Sequence, residues 1–101
     1  MNITDRIIEL ISKLKISTGL DVYILDENEI PILDLPPVKI PPMSISLARG
    51  TNSRSTTSVN NIPVTVIPML LDFQRFYLIL IGNTGKENTM DLLKFIFEEY
   101  V

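Results

Sequence analysis

Apolar and polar positions alternate along this chain with two different periods, and the change of period marks out its elements. Ile3, Ile7, Ile8, Ile11 and Leu14 recur at helical spacing, while Asp5, Arg6, Glu9, Ser12 and Lys13 fall off that stripe. The spacing predicts an amphipathic helix over residues 3–18. Asn2 or Thr4 can cap its start, and Lys13 and Lys15 suit the negative end of its dipole. Gly19 supplies the left-handed residue that ends it.

Two short strands follow. Val22-Tyr23-Ile24-Leu25 is too continuously apolar to have one wet face, so both of its faces are expected to be covered. Asp26-Glu27-Asn28-Glu29 makes a polar turn into Ile30-Pro31-Ile32-Leu33, and Pro31, lacking a donor, assigns that return strand to an edge or to an irregular course. Residues 35–61 are less regular. Pro36, Pro37, Pro41 and Pro42 forbid a helix through 36–42. Met43-Ser44-Ile45-Ser46-Leu47 alternates like a strand but also suits a helix over 43–49. Gly50 to Asn61, rich in Ser, Thr and Asn, has the composition of an exposed loop.

The back half is clear. Residues 64–71 read as a strand interrupted or bulged at Pro68. Asp72-Phe73-Gln74-Arg75 turns the chain, and Phe76-Tyr77-Leu78-Ile79-Leu80-Ile81 has the apolar character of a central strand. Residues 82–87 form a loop. A last helix is expected from Thr89 to the end, with Asn88 as its cap and Met90, Leu93, Ile96, Phe97 and Tyr100 along one side; Glu98 and Glu99 oppose its dipole and favour fraying. The expected fold is α+β: one domain over residues 1–101, with a central antiparallel sheet of about five strands and both terminal helices on one face.

Composition narrows the chemistry. Apolar residues make up 46% of the 101, enough for a core, but a chain this short buries only about two thirds of its unfolded surface, which favours a partner. The absence of cysteine and histidine removes disulfides, thiolate or imidazole metal sites, and the usual nucleophile and general base. No enzyme mechanism, cofactor or metal is therefore expected. The first residues carry no basic segment followed by an apolar block, and the longest apolar run, Phe76–Ile81, falls far short of the roughly 20 residues that span a bilayer. The expectation is a cytoplasmic protein with no membrane partner.

Charge is unevenly spread. No acidic residue lies between Asp34 and Asp72, where Lys39, Arg49 and Arg54 give +3, so the flanks together carry −6 of the net −3. Solvation accounts for this; alternatively, Arg49 and Arg54 meet an acidic partner or the acidic flank of a second copy. Together with Ile45 and Leu47 they make the candidate interface. With no basic helix and no interleaved aromatics, nucleic acid is not an expected partner.

Three other groups resolve to plain structure. Gly82-Asn83-Thr84-Gly85-Lys86 has two residues between its glycines where a phosphate loop has four, and Glu87 stands where a Ser or Thr belongs. Asp21, Asp26, Glu27, Glu29 and Asp34 lack the glycine that bends a calcium loop, and Pro31 stiffens it. Ser44, Ser46, Ser53, Ser55 and Ser58 have no base to activate them.

The order of elements resembles the roadblock (dynein light chain) domains. Residues 19–33 look like the family's first hairpin, with a glycine ending the helix, an apolar strand reaching an aspartate, and a return strand opening on an apolar residue and proline. Val64 to Ile81 is similar to the later strand pair, and the closing helix falls in place. Two departures stand out: Asn28-Glu29 replaces a turn glycine, and the middle segment, which in the family builds the dimer from a long helix and a strand, is here proline-broken and Ser/Thr-rich. The resemblance implies a noncatalytic homodimeric scaffold and regulatory module beside small GTPases. The alternative is a sensor of the GAF or PAS type, holding a small molecule between sheet and middle helices.

Overall fold

The computed structural model describes residues 2–19, 22–82 and 87–101. Three helices and five strands follow in the order α1 (Ile3–Thr18), β1 (Val22–Leu25), β2 (Pro31–Ile32), α2 (Pro42–Thr51), β3 (Ser55–Val59), β4 (Ile62–Leu71), β5 (Gln74–Ile81) and α3 (Glu87–Tyr100). The strands form one antiparallel sheet in the order β2-β1-β5-β4-β3. The α+β class, the five strands and the shared face of the two terminal helices are as expected.

The sheet is apolar on both sides because β5 is. Phe76, Leu78 and Leu80 face α1 and α3, where they meet Ile7, Ile11 and Leu14 of the first helix and Leu93 and Phe97 of the last. Tyr77 and Ile79, alternating to the other face, pack with Leu25, Val64, Val66 and, from α2, Ile45 and Ala48. Full burial of each large side chain here contributes about 1.5–3 kcal/mol. Val38 and Ile40 lie partly buried on the α2 side, so the proline-rich stretch before α2 is laid along the sheet rather than looped away.

Local chemistry sets the boundaries. Asn2 accepts from the Asp5 amide at 2.9 Å, and Gly19, at φ +70°, donates to the Lys15 carbonyl at 2.9 Å. Pro42 opens α2 at the one place in a helix where a missing N–H is harmless. In the first hairpin, Asp26 accepts from the amides of Asn28 and Ile30 at 2.8 and 3.0 Å, which fixes the turn. Glu29 takes φ +64° there, at the residue pair where the resemblance expects a glycine.

Several expectations need correction. Of the two courses left open for residues 43–47, the structure takes the helical one, inside α2. The segment from Gly50 to Asn61 is not a loop: α2 runs on to Thr51, and Ser55–Val59 is a full strand paired with β4. Asn60 and Asn61, both at positive φ between the partners Val59 and Ile62, make a two-residue hairpin turn. The return strand is only Pro31–Ile32, at the sheet edge. The closing helix starts at Glu87, which places Asn88 inside its first turn, and it stays regular to Tyr100. The loop expected over 82–87 lies largely outside the described residues.

Pro68 does not interrupt β4. It pairs with Tyr77 in an unbroken ladder with β5. The amide of Leu70 points away from β5, toward Glu98 of α3 at 3.4 Å, and Pro68 shares that orientation two residues earlier. Because β3 ends opposite Val66, no neighbour asks Pro68 for a donor.

The β4–β5 turn carries backbone strain. Asp72 and Phe73 both have positive φ, +51° and +63°, between the paired Leu71 and Gln74. Such a turn favours Asn-Gly or Asp-Gly, and an aromatic at its second position costs about 1 kcal/mol. Phe73→Gly should therefore stabilise the fold by about that amount, read as a higher urea midpoint with unchanged slope.

Candidate functional site

The middle segment builds a surface that the rest of the molecule leaves uncovered. α2 lies over β3 and β4 with Ser44 and Ala48 fully buried beneath it. The Ser44 and Thr57 hydroxyls hydrogen-bond at 3.0 Å and tie the helix to β3. Ile45 leaves the helix on the β1 side, where it lines a cleft with Leu25 and Ile40. The opposite flank, carrying Met43 (72% exposed) and Leu47 (49% exposed), therefore overhangs β3.

Beyond that flank runs the free edge of the sheet. Ser55, Thr57 and Val59 pair with Val66, Val64 and Ile62, whose backbone groups face β3 in the same alternation that turns Leu70 outward. Thr56 and Ser58 then direct their N–H and C=O groups away from the sheet. Edges are ordinarily blunted by lysine, proline or a bulge. β3 carries neither charge nor proline, and its side chains there are hydroxyls and one valine. The other edge is blunted by its brevity and by Pro31.

The four residues expected at the interface separate. Leu47 alone stands on the ledge. Ile45 is buried core, not surface, because helical spacing sends it inward with Ala48. Arg49 leans back over the sheet: its Nε donates to the Tyr77 hydroxyl at 2.7 Å, its Cζ lies 5.6 Å from that ring's centroid, and its Nη2 is 3.8 Å from Glu29. The hydrogen bond to Tyr77, with smaller help from Glu29 and Glu27, holds the guanidinium above its ordinary value. Arg54 is not in a free loop. It binds Asp91 of α3 at 2.9 Å and joins the start of β3 to the last helix. Met43, Thr56 and Ser58, exposed on this ledge and edge, were not among the four; the Asn60-Asn61 pair and the β-branched run before it were the available signals of a strand here.

Among the described residues no cluster of acidic side chains could hold a metal ion, and Asp26 is spent on its own turn. Asp21 and residues 83–86 lie outside the described residues. Ser44 is bonded to Thr57, with no base beside it. No helix among the described residues is long and apolar enough to cross a membrane. A surface groove of about 460 Å³ runs between α1 and α3 near Leu10, Ile96 and Tyr100. The chain matches no protein-family model and no curated protein.

The Ser44–Thr57 bond gives a test of how α2 is fixed. Thr57→Val leaves a buried hydroxyl unpaired and should cost about 1–2 kcal/mol, whereas adding Ser44→Ala should recover part of that loss. A double-mutant cycle by urea denaturation measures the coupling.

Proposed function

We propose that this chain is a noncatalytic homodimerisation module of roadblock-like architecture, working as a cytoplasmic scaffold with a small GTPase among its partners. The observation that carries the pairing is the unprotected, uncharged edge of β3 lying under the exposed Met43–Leu47 flank of α2. Open strand edges pair, and a two-fold arrangement makes the pairing self-limiting. An antiparallel pair centred on Thr57 sets Thr56 of one copy against Ser58 of the other, so both outward amides and both carbonyls find partners. Met43 and Leu47 then pack against their counterparts. The resemblance expects pairing through a middle helix and the strand after it, and this chain has both.

The GTPase as partner rests on the resemblance and on a surface made for binding. The noncatalytic reading rests on the missing imidazole and thiol, since neither the carboxylates nor the serines have a partner that would activate them.

Light scattering on the purified chain should give twice the 11.4 kDa chain mass. Ser58→Pro removes an outward donor that the chain's own fold does not use, and Leu47→Asp charges the ledge. Each should leave a folded monomer. A wild-type chain that stays monomeric at high concentration overturns the proposal.

A further inference from the structure

A second site lies on the same face of the sheet, away from the β3 edge. The β4–β5 turn, the C-terminal end of α2 and the β1–β2 turn enclose a cup of about 280 Å³ lined by Glu27, Arg49, Leu70, Phe73, Arg75 and Tyr77. Tyr77 is its floor. Arg75 precedes it by two residues on the same face of β5, and Arg49 reaches the Tyr77 hydroxyl from α2. Both arginines therefore flank one tyrosine.

Two features of the cup are costly to the chain by itself. Nη1 of Arg75 is shut off from solvent without a hydrogen-bond partner, the one such side-chain atom among the described residues, and no described ion pair includes Arg75. A guanidinium nitrogen enclosed without an acceptor is unfavourable, even on a side chain that is only half-buried. At the lip, Phe73 is 94% exposed on a backbone that suits glycine, with exposed Leu70 beside it. Strained backbone of this kind is held in place by the structure around it and clusters at ligand clamps.

The cup's charges decide what fits. Arg49 already has Glu29 nearby, so the unmet charge is the single one of Arg75. The negative charge of Glu27 in the wall disfavours a dianion such as phosphate more than a single carboxylate. We propose that the cup binds a carboxylate carried on an apolar, preferably aromatic, group. Arg75 takes the carboxylate, Phe73 and Leu70 take the apolar part, and the Arg49–Tyr77 pair closes the other side. The same chemistry is offered by a free aryl acid and by the last residue of a partner chain. The site is independent of the dimer.

The test is a titration of the full chain, labelled with nitrogen-15, with phenylacetate and separately with N-acetyl-glycyl-phenylalanine, following the Arg75 Nε–Hε and Phe73 amide signals. At least one of the two should give saturable shifts with millimolar affinity. Tighter binding of the dipeptide assigns the site to chain ends, and tighter binding of phenylacetate assigns it to free acids. Arg75→Gln should weaken binding about tenfold, and Glu27→Gln should tighten it. Phe73→Gly, which suits the turn, should weaken binding even as it stabilises the chain. The proposal is overturned if neither acid shifts these signals, if uncharged phenylacetamide or inorganic phosphate binds equally well, or if Arg75→Gln leaves the affinity unchanged.

Discussion

The architecture depends on one strand being dry on both sides. β5 offers apolar side chains to each face of the sheet, so neither face can be left to water, and a two-layer solution is closed to this chain. α1 and α3 cover one face. The other is covered by a ten-residue helix and by a proline-rich strap with no regular structure. That second cover is thin, and everything of functional interest lies at its margins: the ledge where α2 overhangs β3, and the cup where α2 ends above Tyr77.

Much of this was legible. The terminal helices, β1 and the core of the β4–β5 pair announce themselves through periodicity and through Gly19, because their apolar residues all answer to one sheet. β3 did not, because its signal is inverted. An edge strand with one partner needs few apolar residues, and Ser55-Thr56-Thr57-Ser58 reads as loop when polarity is weighed before β-branching. Pro68 misled for a related reason: a proline breaks a strand only where a neighbour needs its donor, and the sequence does not say where β3 stops. The candidate site suffered most. Ile45 and Leu47 were both expected at the interface, with strand and helix left open; the helix sends one into the core and the other to the surface.

The arginines show how charge patterning is redistributed by folding. In the sequence Arg49 and Arg54 are a basic pair in an acid-free stretch. In the fold each is drawn to the acidic flanks of its own chain, one beside Glu29 and the other to Asp91. The pair most relevant to a ligand, Arg49 with Arg75, is 26 residues apart in sequence and is assembled only by the placement of Tyr77.

Pro68 has a consequence for how large an assembly of this chain can grow. Past Val66 the outer rim of β4 offers a ring nitrogen without hydrogen, then an amide already claimed by Glu98. An incoming strand thus finds only the five residues of β3 to hold, and the far rim of the sheet ends in another proline. On the proposed pairing, growth by adding sheet to sheet has one short berth at β3, and the two-residue β2 with its proline offers little at the far rim. The imino acids ration the hydrogen bonds that would otherwise let such a sheet lengthen into a fibre.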